Sequence, residues 1–221
     1  MESTNPDTSL GDRPIGEIAV QRPGSTAIFR KFKLDYCCGG DVSLAAAVVR
    51  RGVDLEEVER ELAAIVPSPG EPPAETGDLI DHVLSRFHDT HRRELPELII
   101  LARKVERVHA DHPDVPKGLA RFLDGLAREL DSHMAKEEQI LFPMLRAGHP
   151  GAVGPISVMR AEHVDHGEAL EALAATTNNM LPPPGSCGSW KALYAGLRKL
   201  SDDLVEHIHT ENNILFPRFD H

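Results

Sequence analysis

Residues 207–219 read HIHTENNILFPRF, and residues 133–145 read HMAKEEQILFPML. His133, Glu137 and the run Ile140-Leu141-Phe142-Pro143 recur as His207, Glu211 and Ile214-Leu215-Phe216-Pro217, at the same offsets throughout. On an α-helix, residues i and i+4 lie on one face about 6 Å apart, so each copy presents an imidazole and a carboxylate to one side. Apolar residues share those sides: Leu126, Leu130 and Ile140 with the first pair, Leu200, Leu204 and Ile214 with the second. Both pairs are therefore expected to face a helical interior. A buried carboxylate must be protonated, ion-paired or metal-bound, and no Lys or Arg is aimed at either glutamate. A bound metal meets that need.

Around these copies the apolar residues keep a helical period in four long segments, over 78–110, 116–148, 154–178 and 190–219. Pro96 lies inside the first and predicts a kink there. No segment shows the alternation of a strand. Upstream, short helices are expected over 15–20, 25–32, 41–51 and 54–65, with Asp41 and Asp54 as N-caps of the last two. The Pro/Gly/Glu-rich stretch PSPGEPPAETG, residues 67–77, is the best boundary in the chain. The fold expected is all-α: a small helical domain over 1–66, a linker over 67–77, and an antiparallel four-helix bundle over 78–221.

Composition narrows the function. A formal charge of −11 over 221 residues argues against nucleic acid or an anionic membrane as partner, since either demands a basic face. No run approaches a membrane span, and the N-terminus lacks the charged-then-apolar pattern of a signal peptide. Three cysteines make no disulfide framework, so a reducing, cytoplasmic setting is expected. The anomaly is 12 histidines against 24 Lys plus Arg, histidine being the commonest metal ligand.

The other two bundle segments carry histidines as well, His88 and His91 in the first and His163 and His166 in the third. Nitrogen donors from four helices plus two carboxylates exceed one tetrahedral zinc. They suit two five- or six-coordinate ions bridged by the carboxylates, and the mix of imidazole and carboxylate favours iron over calcium or magnesium. His109 lies about 31 Å along a helix from His88 and cannot join the same site. His109, His112 and His149 are read as loop or end residues, and His82, His209 and His221 as surface ones.

The runs HDTHRRELPELI, KVERVHADHP, HMAKEEQILFPM, GPISVM followed two residues later by EH, and ENNILFPR resemble the hemerythrin-like di-iron proteins of the RIC (repair of iron centres) family. LDYCCGGDVSLAAA is similar to the paired-cysteine domain that precedes the bundle in that family, so the resemblance covers Ile15 to Arg218. It implies His88, His133, His163 and His207 as terminal iron ligands and Glu137 and Glu211 as bridges, with two oxo-bridged irons per chain. The set has one histidine fewer than hemerythrin itself. His91 and His166, each one turn from a chosen ligand, stay open as replacements.

In DYCCGGDVSL the thiols of Cys37 and Cys38 precede two glycines and a helix start, a setting expected to favour thiolate. Such neighbours can carry iron, exchange disulfides or take up nitric oxide, and the resemblance makes them the pair that acts in transfer. Cys187 receives no role. The function that the resemblance implies is repair of iron–sulfur clusters damaged by nitrosative or oxidative stress, by donating iron. Damaged iron–sulfur proteins are then the acceptors, and a homodimer is admitted as the assembly. Two other readings stay open at this point: a di-iron nitric oxide reductase or oxidase, and a hemerythrin-like oxygen or iron sensor or carrier.

Overall fold

The computed structural model describes residues 9–65 and 73–220, all helix, turn and loop apart from one isolated bridge between Pro14 and Ser43. Most of the 67–77 linker and His221 lie outside the described residues. Two compact units are present, the first gathering 9–65 with 208–218, the second 73–207 with 219 and 220. No helix of the described residues is long and apolar enough to cross a membrane.

In the first unit, α1 (Ile15–Gln21), α2 (Ser25–Lys31), α3 (Leu44–Arg51) and α4 (Leu55–Ala63) bury Ile15, Ile18, Phe29, Tyr36, Leu44, Val58 and Leu62. Asp54 caps α4 through a bond from the Glu56 amide. The cap of α3 is Ser43, whose Oγ accepts the Ala46 amide, and not Asp41, so that helix starts later than the 41–51 reading. Residue 52 ends α3 at φ 66°, where the Gly52 and Val53 amides return to Val49 and Val48; glycine takes this conformation without a Cβ clash. The cysteine loop is strapped to α1 by bonds from the Ile15 and Gly16 amides to the Val42 and Gly40 carbonyls. A Cβ on Gly16 would stand 3.1 Å from the Gly40 Cα, so two backbones meet there at a distance only glycines permit.

The second unit is the helical bundle, and its helices are not regular throughout. The first runs as α5 (Thr76–Val83), a π-turn over Leu84–His88, and α6 (Asp89–Val108). The second runs as α7 (Leu119–Lys136), a π-turn over Glu137–Leu141, and α8 (Phe142–Arg146). The third is α9 (Val153–Thr176). The fourth, α10 (Gly188–His209), continues into a third π-turn over Thr210–Leu215, within the chain segment that groups with the first unit. Helix α6 passes through Pro96 without a break, and the irregularity falls upstream, in the turn that ends on His88.

The π-turns explain why Ile140 departs from its expected inward place. A π-turn spends one extra residue, so beyond Glu137 the register moves on by one. Leu141 and Phe142 are buried, while Ile140 is 54% exposed. Core residues Leu79, Phe87, Leu123, Leu126, Leu130, Ile156, Leu193, Leu197 and Leu204 close the interior around the histidines.

Candidate metal centre

His88, His133, Glu137, His163, His207 and Glu211 are each at most 1% exposed. His88 closes the first π-turn, Glu137 opens the second and Glu211 sits in the third; such turns recur at functional sites because they aim a side chain that a regular helix would misdirect. The six residues form two groups, His88, Glu137, His207, Glu211 and His133, Glu137, His163, Glu211, with the ligand atoms of each within 4.8 Å of one another. Both carboxylates belong to both groups.

Glu137 shows the sharing directly. Its Oε2 lies 3.3 Å from His88 Nε2, and its Oε1 lies 3.4 Å from His133 Nε2. His88 Nε2 and His207 Nε2 are 3.2 Å apart, as are His163 Nε2 and His133 Nε2. A first-row ion binds imidazole nitrogen at about 2.1 Å, so adjacent donors of an octahedron stand about 3 Å apart. The donor atoms of each group thus stand at about the spacing that a bound ion would require. Imidazole with carboxylate, and no thiolate, is a donor set for iron rather than for calcium or magnesium. The residues present fit iron.

Two carboxylates outside the groups orient two of the imidazoles. His88 Nδ1 donates to Glu138 Oε1 at 2.8 Å, and His133 Nδ1 donates to Glu162 Oε2 at 2.9 Å. Arg92 holds Glu138 and Lys136 holds Glu162. With Nδ1 protonated, each ring turns its Nε2 lone pair toward the centre. Against the cost of burial, the Arg92 and His88 hydrogen bonds keep the Glu138 carboxyl below its usual range. Sequence reading missed both residues: the pairings span 50 and 29 positions, and nothing local marks a carboxylate as a partner of a distant histidine. Glu138→Gln and Glu162→Gln are each expected to weaken iron affinity by roughly 10- to 100-fold without unfolding the bundle. Iron retained against a graded chelator measures this; unchanged retention in both variants would remove the orienting role.

His91 and His166 lie outside both groups. His91 packs against His207, with ring centroids 5.5 Å apart, and His166 against His133, at 4.8 Å. Both His91 nitrogens and His166 Nδ1 are buried with no hydrogen-bond partner among the described residues. Burial first, then the neighbouring imidazoles, pushes each down to about 3. They are neutral walls of the site, and surface clefts of about 380 and 530 Å3 are lined in part by His91 and His166 respectively. His109 ends α6 far from the centre, 3.1 Å from Cys187 Sγ and beside Trp190. His209, read as a surface residue, is 3% exposed. It stacks edge-on to Tyr36 and accepts a hydrogen bond at Nδ1 from Asn213.

In the first unit Cys37 is buried and Cys38 half-buried, with their Sγ atoms 3.6 Å apart. The Cys38 hydrogen bond, burial and the adjacent Asp35 push the Cys37 thiol well above its usual range. The expected help from a helix terminus does not reach it, because α3 starts only at Leu44.

Comparison with known proteins agrees with this geometry. Residues 79–219 match the hemerythrin HHE cation binding domain, and residues 11–66 match ScdA_N, a domain of unknown function. The chain is 54% identical over 214 residues to the iron-sulfur cluster repair protein YtfE of Citrobacter koseri, covering 95% of this chain and 97% of that one. It is likewise 54% identical over 211 residues to the proteins of the same name from Escherichia coli and Shigella boydii, covering 94% of this chain and 96% of each.

Proposed function

The chain belongs to the family of the YtfE iron–sulfur cluster repair proteins, which its hemerythrin HHE and ScdA_N matches describe, and from that premise we propose that it is a non-haem di-iron protein. It restores iron–sulfur clusters damaged by nitrosative or oxidative stress by donating iron. The carrying observation is the pair of four-donor groups that share Glu137 and Glu211. His88 and His207 would hold one iron and His133 and His163 the other, with Glu137 and Glu211 shared between them. His91 and His166 stay neutral beside the ligands without replacing them.

The iron pair held there, which we propose to be oxo-bridged, would supply redox chemistry in which the reduced, ferrous form is held loosely enough to be donated. The chain's own part is to keep that pair dry and oriented. Glu138 and Glu162 fix the His88 and His133 tautomers, and the buried Phe87 and Phe142 stack on His207 and His88, shielding those rings. Cys37 and Cys38 act in transfer to damaged iron–sulfur proteins, which are the acceptors. We place it in the cytoplasm, with domains over 1–66 and 78–221 joined by the 67–77 linker.

The test is recovery of an iron–sulfur enzyme previously damaged with nitric oxide, at equal iron loading, with iron counting and Mössbauer spectroscopy alongside. Wild type is expected to restore the enzyme and to carry two antiferromagnetically coupled irons per chain, one for each donor group. The Cys37→Ser, Cys38→Ser double variant is expected to keep both irons and restore far less, because a serine hydroxyl stays protonated near neutral pH. Equal recovery by the two proteins would take the thiols out of the path. One zinc per chain, or uncoupled ferric iron, would overturn the di-iron reading.

A further inference from the structure

We infer that Asp35, Cys37 and Cys38 form a second metal site, an open three-ligand station for one thiophilic divalent cation, outside the di-iron centre. The three ligand atoms lie within 4.8 Å of one another. Cys37 Sγ is 3.6 Å from Cys38 Sγ and 3.5 Å from Asp35 Oδ1. Metal–sulfur bonds of about 2.3 Å and metal–oxygen bonds of about 2.1 Å, at a tetrahedral angle, give S···S and S···O edges of about 3.8 and 3.6 Å. The metal-free loop already stands at those edges. A hydrogen-bonded thiol occupies the same distances, so a cation would take the place of the thiol protons, two of which leave to solvent as two thiolates and one carboxylate close on the ion.

The loop is built to hold this geometry. Asp35 Oδ1 accepts the Cys37 and Cys38 amides, at 3.2 and 3.0 Å, which fixes the carboxylate beneath the thiols. A Cβ on Gly39 would stand 2.8 Å from Asp35 Oδ2, so glycine at that position keeps the second oxygen uncovered. The far side is anchored too. The Asn212 and Asn213 side-chain amides donate to the Cys37 and Tyr36 carbonyls, each at 3.1 Å. These asparagines directly follow Glu211, so the turn that carries a bridging carboxylate also carries the anchor of the thiol loop.

Donor chemistry and exposure define the cargo. Two thiolates exclude magnesium and calcium in favour of ferrous iron and its borderline neighbours. Three protein ligands leave the fourth position open, as in sites that exchange rather than sites that brace a fold. Cys37 forms the buried base, while Asp35 and Cys38 form the accessible rim. Naming ferrous iron in transit as the cargo rests on the repair function proposed above; the existence of the site does not.

The test uses the full-length, iron-loaded protein with reduced thiols, titrated anaerobically with cobalt(II). The expected result is one cobalt per chain with thiolate-to-cobalt charge-transfer absorption and no release of bundle iron. Cys37→Ser, Cys38→Ser should abolish the band. Asp35→Asn keeps an oxygen for the two amides but loses the anionic ligand, and should weaken cobalt binding about tenfold or more, with the bundle's iron spectrum unchanged as the check on folding. No thiolate band in wild type, cobalt taken up only in exchange for bundle iron, or an undiminished affinity in Asp35→Asn would each overturn the site. Cluster repair without a cobalt site defeats this inference alone; a cobalt site in a protein that restores no cluster defeats the repair reading alone.

Discussion

Glu137→Ala is expected to empty the bundle of both irons together, where a single terminal histidine variant loses its own group first. The reason is the position of the carboxylate. Its two oxygens stand 3.3 and 3.4 Å from histidines of different groups, so truncation removes a donor from each and also the charge that would hold two cations close. His88→Ala removes a donor from one group only. Loss of iron in Glu137→Ala is not expected to report unfolding, because a fully buried carboxylate is a liability in the metal-free protein and its removal relieves a desolvation cost. The measurement is iron per chain after desalting, with circular dichroism on the same samples. His109→Ala is the control, since His109 contacts Cys187 and Trp190 and neither donor group. Full iron in Glu137→Ala, or an empty site in His109→Ala, would mean that the centre is elsewhere.

Glu137 also marks how far sequence reasoning reaches. That His133 and Glu137 share an inward face follows from helical periodicity, and the copy at His207 and Glu211 turns a common spacing into a centre. Helix number, the all-α class and the burial of the pairs follow from the same local pattern. What lay beyond it is non-local or sub-helical. The π-turns at His88, Glu137 and Glu211 leave no periodic mark, because one inserted residue is within the ordinary scatter of an apolar stripe. They are why Ile140 turns outward. Glu138 and Glu162 were invisible because their partners lie on other helices. His209 reads as a polar shoulder two residues past His207, yet Tyr36, far upstream, closes over it. Nothing local in the sequence marks Asp35 as the residue whose carboxylate accepts the amides of both cysteines.

Acid is expected to unfold the protein well above the range of ordinary carboxylate titration. Burial, with neighbouring imidazoles, lowers His91 and His166 to about 3, and burial, with Arg30, lowers His209 to about 4. A histidine in the unfolded chain titrates near 6.5. Between that value and about 4 the unfolded state therefore holds up to three more protons at these positions than the folded state does. Stability from these residues is thus fully present above pH 6.5 and is lost as pH falls toward the folded values. Each contributes about 1.4 kcal/mol per pH unit, the three together about 4 kcal/mol. Set against a total of roughly 5–15 kcal/mol, a fall of one to two units below 6.5 is enough to unfold much of the metal-free protein. Iron acts in the same direction, because ligation needs neutral histidines and ionised glutamates, so release is expected below about pH 6. Urea unfolding of metal-free protein between pH 7.5 and 5 reads the slope directly. His91→Leu should reduce it by about 1.4 kcal/mol per pH unit, with little change above pH 7. A stability that stays flat down to pH 5, or the same slope in the leucine variant, would show that these imidazoles take up protons in the folded bundle, and the dry interior assigned to the centre would have to be given up.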